Sequence, residues 1–186
     1  PLLPRGYPDS VSPLYLRYAS WNLAHQAIGS AAGTLSTQAL LLGAGLGARE
    51  AVPAAAALNW VLKDGIGQFA TIASAYAVAD RFDAQPKRWR LAASALENAA
   101  RALELATPLV PGAFFVLASG AHVMKSVACL AASASKAAIH LSLSNHAGNL
   151  ADLTAKAGSQ AVVASLAGTG LGVLVSVLIT VPRPDL

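Results

Sequence analysis

Lys63 and Asp64 stand side by side inside LNWVLKDGIGQ (Leu58 to Gln68), an otherwise apolar stretch. Charge in such a setting is costly unless it is paired or lines a polar cavity. Two chemistries fit: an ion pair at a helix break loosened by Gly65 and Gly67, or a polar binding site of the kind built at broken helices. A second polar island, NHAGNLADLTAKAGSQ (Asn145 to Gln160), lies between two apolar segments. There Asn149, Asp152 and Thr154 are types that cap helix starts, and Lys156 is a cation able to answer an acid elsewhere, Asp64 among them. Its simplest reading is a connecting loop. Lys63, Asp64, Lys156, Ser159 and Gln160 are therefore the candidate binding residues.

The histidines lie far apart and no cysteine is near them, which is not the spacing of a metal site, and none is predicted. His25, Gln38, His122 and His140 are of types that contact a pigment metal such as that of chlorophyll, or a lipid headgroup. GIGQFA (Gly65 to Ala70) matches a degenerate dinucleotide fingerprint, which requires a preceding strand. The residues before it, AAAALNWVLKD, read as helix, so nucleotide binding is not expected. No phosphate-binding loop, nucleophile elbow or HExxH pattern occurs, and the chain is not expected to be an enzyme. Cys129, the single cysteine, reads as a small buried apolar residue.

The elements that must position these residues are helices. Of 186 residues, 55% are hydrophobic and 12% carry Asp, Glu, Lys or Arg, and 42 of them are alanine, a strong helix former. So few charges cannot cover a folded surface in water, which excludes disorder and an ordinary soluble monomer. The net charge of +4 forms no continuous stripe, so nucleic acid is not an expected partner. From Tyr18 to Ala48 no residue is charged, and the glycines divide this run into a helix to about Gly33 and a shorter one from Leu35 to Gly47. A helix from Ala54 to Ala79 is expected to be interrupted at KDGIG, and a run from Leu105 to Met124 is broken by Pro108 and Pro111. Another helix covers Lys125 to Leu143. The uncharged stretch from Ala157 to Pro182 is the best membrane-spanning candidate.

Charge gathers from Asp80 to Arg90, the clearest water-facing loop and, by the positive-inside rule, a marker of the cis face. Pro86 then opens an amphipathic helix. Lys87, Arg90, Ser94, Glu97, Arg101 and Glu104 share one side, and Trp89, Ala92, Leu96, Ala99 and Leu103 the other. The charged side reads first as a solvated face; as the alternative, Lys87, Arg88, Arg90, Glu97 and Arg101 form a candidate partner face. The expected architecture is an all-α, Ala/Gly-rich helical membrane bundle of about six to eight segments, a single domain over residues 1–186. Its start at Pro1, with the only methionine at Met124, reads as an N-terminally incomplete chain.

The segments LPRGYPDSVSPLYLRYASWN (Leu3 to Asn22), LSTQALLLGAGLG (Leu35 to Gly47), LNWVLKDGIGQ, PKRWRLAASALENAARALELATPLVP (Pro86 to Pro111) and NLADLTAKAGSQ (Asn149 to Gln160) occur in this order. Together they resemble successive blocks of the Root UVB Sensitive family. One departure is Ala157, where the family usually carries an acid. The resemblance implies a membrane-associated protein, plastidial in many plant members, linked to UV-B-sensitive growth and vitamin B6 homeostasis. It carries over no catalytic residues. Lys63, Asp64, Arg88, Trp89, Arg90, Lys156, Ser159 and Gln160 lie in its motifs. The expected function is to bind or move a small molecule or lipid in a plastid membrane, thylakoid or envelope. The alternative is a non-catalytic accessory subunit of a larger plastid complex such as a photosystem, with pigment contacts. Membrane lipids and other helical membrane subunits are the expected partners.

Overall fold

Alanine loses no rotamer freedom in a helix and lets helix axes approach closely, and the long Ala-rich runs fold accordingly. The computed structural model describes residues 2–44, 54–78, 82, 85–145 and 149–180. Among the described residues five α-helices occur: α1 (Tyr15–Gly43), α2 (Ala54–Val78), α3 (Pro86–Leu105), α4 (Phe114–Leu143) and α5 (Leu150–Thr180). Two single 3-10 turns, Thr107–Leu109 and Pro111–Ala113, join α3 to α4. The only extended pairing described is an isolated antiparallel bridge between Val11 and Ser144. The fold is all-helical, as expected.

The segments are fewer and longer than the glycines and prolines predict. Helix α1 runs without interruption through Gly29 and Gly33. A helical glycine costs only about 1 kcal/mol relative to alanine, which favourable packing outweighs. Helix α2 likewise continues through KDGIG, and Gly67 there is buried against α4, a contact in which the missing side chain is an advantage. No break separates Met124 from Lys125 in α4. Of the island from Asn145 to Gln160, expected to be a connecting loop, Leu150 to Gln160 forms the first turns of α5, with Leu153 N–H donating to Asn149 O at 2.9 Å. The Gly43 to Gly47 end of the second expected helix falls partly outside the described residues.

The chain divides into two compact units. The first comprises Pro1–Leu35 and Ile139–Leu186. Its core is Val11, Tyr15, Ala19, Leu143 and Leu153, with Tyr18 and Ile139 packed against it. Helices α1 and α5 are in intimate contact here: a Cβ on Gly168 would collide with the Ala27 carbonyl, and one on Gly172 would lie 2.8 Å from the Ala31 carbonyl.

The second unit is Ser36–Ala138. Phe82, Ala93 and Ala131 form its core, and Trp89 meets Phe82 edge to face with ring centroids 4.9 Å apart. A Cβ on Gly43 would stand 2.9 Å from Thr107 Oγ1, so α1 ends against the α3–α4 connection. The amphipathicity of α3 is real, but its buried line is Ala93, Ala100 and Glu104. Ala92 and Ala99, expected inside, are exposed. Ala93 packs with Ala131 of α4, and the buried line lies one residue round from the expected one. Cys129 on α4, expected to be buried, is exposed.

Candidate functional site

In the second unit, α4 carries Ser119, His122 and Ser126 along one line at helical spacing, with Lys125 beside them. Two acids from other helices meet this strip. Glu104, at the C-terminal end of α3, is 3% exposed and pairs with Lys125. Asp64 of α2 places Oδ1 3.6 Å from His122 Nε2, an ion pair when the imidazole is protonated. One turn of α4 thus brings His122 to one carboxylate and Lys125 to the other. Gly67, one turn beyond Asp64, leaves the room into which the His122 ring projects.

The connection after α3 secures this arrangement. Thr107 is fully buried, and its Oγ1 lies 2.7 Å from Glu104 O and 3.3 Å from Ala39 O, positioned to donate to either. The strip is polar on a helix otherwise apolar enough to cross a membrane, and its components can hold a proton, an anion or a polar headgroup.

The first unit has a different polar centre, and it is mainly architectural. Gln160, buried on α5, donates through Nε2 to Leu2 O at 2.7 Å and to Tyr15 Oη at 3.2 Å. Arg5 N–H donates to Asp152 Oδ2 at 2.7 Å, Asn149 Nδ2 to Ser10 O at 3.2 Å, and Asn145 Nδ2 to Asp9 O at 3.3 Å. The segment preceding α1 is thereby stitched along the first turns of α5. Gly6, at φ 72, supplies the left-handed turn within this segment. Burial raises the Tyr15 hydroxyl above its ordinary pKa, against the opposing effect of its bond with Gln160.

Other sequence-selected residues distribute as follows. The Lys63 side chain lies outside the described residues. Asp64 is half-exposed and faces His122; Lys156 belongs to the other compact unit. Ser159 is exposed and bonds back to Ala155 O in its own helix. His140 is buried, with Nδ1 3.2 Å from Thr154 Oγ1 and the Tyr18 ring edge-on at 6.1 Å. His25 and Gln38 are half-buried on α1. Lys87 and Arg88 are exposed beside a shallow groove of about 290 Å³, and Arg90 is half-buried. Arg101 is committed within α3, to Glu97 and, at 3.0 Å, to Asn98 Oδ1. Among the described residues no three His, Cys, Asp or Glu side chains converge as metal ligands.

Sequence reading passed over Glu104 and Lys125 as members of a site. A usable signal existed: Lys125 is the only Asp, Glu, Lys or Arg between Leu105 and Ser135. A lone charge in so long an apolar run requires a partner.

The chain as a whole matches known proteins. A family model described as the vitamin B6 photo-protection and homoeostasis domain matches residues 1–184. The chain belongs to the Root UVB Sensitive family. RUS family member 1 of Dictyostelium discoideum is 36% identical over 178 residues, covering 94% of this chain and 33% of that protein. Protein root UVB sensitive 6 of Arabidopsis thaliana is 34% identical over 175 residues, covering 94% and 35%. Protein root UVB sensitive 2, chloroplastic, of the same plant is 36% identical over 170 residues, covering 91% and 38%. The chain thus spans about a third of the length of these Root UVB Sensitive relatives. No solved structure matches it.

Proposed function

We propose that this chain is the membrane-embedded portion of a Root UVB Sensitive protein, with α4 and α5 crossing the bilayer, and that it binds or moves a small molecule or lipid at the α4 polar strip. The reading rests above all on the lone Lys125–Glu104 pair, with His122 and Asp64 one turn away, on a helix long and apolar enough to span. Helix α5 supports the membrane assignment: it also meets the length and composition of a span, and most of its apolar window is left uncovered. The family description makes a B6 vitamer the narrowest form of the ligand. One plant relative is named chloroplastic, and a plastid membrane, thylakoid or envelope, is the proposed location. The role is binding or passage without covalent chemistry, and membrane lipids surround the protein.

Two measurements test this. The protein should resist alkaline extraction from membranes; release into the soluble fraction contradicts the membrane assignment. Reconstituted in vesicles, it should bind pyridoxine or a phospholipid probe, and Asp64→Asn and His122→Asn should each weaken that binding by about ten-fold, the equivalent of one lost polar contact. Binding unchanged by either substitution, at unchanged folding, contradicts the site.

A further inference from the structure

We infer that α1 is a third bilayer-crossing helix, running parallel to α5 and entering the membrane at the same level. The inference rests on the membrane reading of α5 proposed above.

The contacts between α1 and α5 set their direction and register. Tyr15 meets Gln160, Gln26 meets Ser165 at 2.9 Å, Ala27 meets Gly168, and Ala31 and Thr34 meet Gly172. Residue numbers rise together along both helices, so the two are parallel. The last charge on α1 is Arg17 and the last on α5 is Lys156. Counted back from the Ala27–Gly168 contact, they lie ten and twelve residues towards the respective helix N-termini. Charge therefore ends on both helices at a common level.

Beyond that level Tyr18 to Gly43 and Ala157 to Thr180 contain no charged residue. At about 1.5 Å per residue they extend about 39 and 36 Å, each more than a hydrocarbon core of about 30 Å. Polar groups converge on the charged side. The N-terminal end of α1, the last turn of α4 and the start of α5 meet there, through Ser12 N–H to Leu143 O at 2.9 Å and the Val11–Ser144 bridge. Trp21, one turn past Arg17 and 71% exposed, stands where tryptophan concentrates in membrane proteins, at the headgroup boundary.

Average hydropathy hides this in α1 because the helix carries Asn22, His25, Gln26, Ser30 and Thr34. Those residues are half-buried: Gln26 bonds Ser165, and Thr34 bonds back to Ser30 O at 3.1 Å. The side left outward continues Leu14, Trp21, Ala24 and Ile28 at helical spacing. With these polar groups turned inward and Gln26 bonded to α5, α1 presents lipid with an apolar face. Lipid is the occupant selected because α1 packs directly on α5, whose own apolar window is left largely uncovered.

Cysteine accessibility in the full chain tests the assignment. With Cys129→Ser as background, Leu14→Cys, Ile28→Cys and Leu174→Cys replace exposed residues, in native membranes opened to both faces. A water-soluble maleimide should label Leu14→Cys, while Ile28→Cys and Leu174→Cys react at least about ten-fold more slowly, since the thiolate does not form in hydrocarbon. All three should react alike once the protein is denatured. If Ile28→Cys reacts as fast as Leu14→Cys while Leu174→Cys stays protected, α1 lies outside the bilayer and the inference fails with the α5 assignment intact. If Leu174→Cys is labelled rapidly as well, the membrane reading fails with it.

Discussion

Glu104 of α3 and Lys125 of α4 pair across the second compact unit, with the carboxylate almost wholly removed from solvent. Removing one member leaves the other charge inside without compensation, whereas replacing both by apolar groups removes the problem. Glu104→Ala is expected to destabilise the protein by about 3 kcal/mol, the low end of the range for buried pairs because Lys125 keeps partial contact with solvent. Glu104→Leu with Lys125→Met should recover most of the loss. Denaturant unfolding of the two proteins in detergent checks both.

Gly67 and His122 form a second coupled pair. A Cβ on Gly67 would collide with the His122 ring and stand 2.9 Å from Ser126 Oγ. Gly67→Ala is expected to cost about 1–2 kcal/mol, the ring being able to turn aside only by disturbing its approach to Asp64. With His122→Ala present, the same substitution should cost little. A double-mutant cycle measured by thermal unfolding should give a coupling of about 1 kcal/mol.

Two glycines on α5, a half-turn apart, should respond in opposite ways. A Cβ on Gly168 would strike the Ala27 carbonyl, a backbone atom that cannot turn aside, while one on Gly170 meets nothing within 4 Å. Gly168→Ala should separate α1 from α5 and lower stability by about 2–3 kcal/mol. Gly170→Ala should be neutral or stabilise by up to about 1 kcal/mol through helix propensity. Parallel melting curves distinguish them.

Tyr15 links the first unit to pH. Burial raises its hydroxyl pKa in the folded protein above the ordinary value of 10.0. The neutral phenol is the form that the fold accommodates, so this contribution is fully present below pH 10 and is lost as pH rises through the folded-state value. Unfolding curves collected across that alkaline window should show declining stability, and Tyr15→Phe should flatten the decline at the expense of the Gln160 hydrogen bond. An unchanged slope in Tyr15→Phe contradicts the assignment.

Much of this was legible locally. Alanine content predicts helix, Pro86 begins α3, and the uncharged stretch after Lys156 marks the apolar end of α5. The polar islands are also visible in the sequence, and polar groups among apolar residues must be satisfied. Their division of labour was not legible. Gln160 holds Leu2 and Tyr15, and Asp152 holds the Arg5 backbone, although these partners are well over a hundred residues apart in the chain. Asn145 to Gln160 reads as loop by composition, but Leu150 to Gln160 is helix, with Asn149 just before it and Asp152 and Gln160 within it bonded to the segment before α1.

By itself, then, the sequence determined the helical class, the family and the places where charge is scarce, because propensity, motif and hydropathy are properties of neighbouring residues. Only the tertiary structure decided that Glu104 belongs to Lys125, that Asp64 faces His122, and that charge ends together on α1 and α5. Each is a meeting of distant segments, set by helix register and by glycines that let backbones approach, and nothing in the local pattern specifies which surfaces meet.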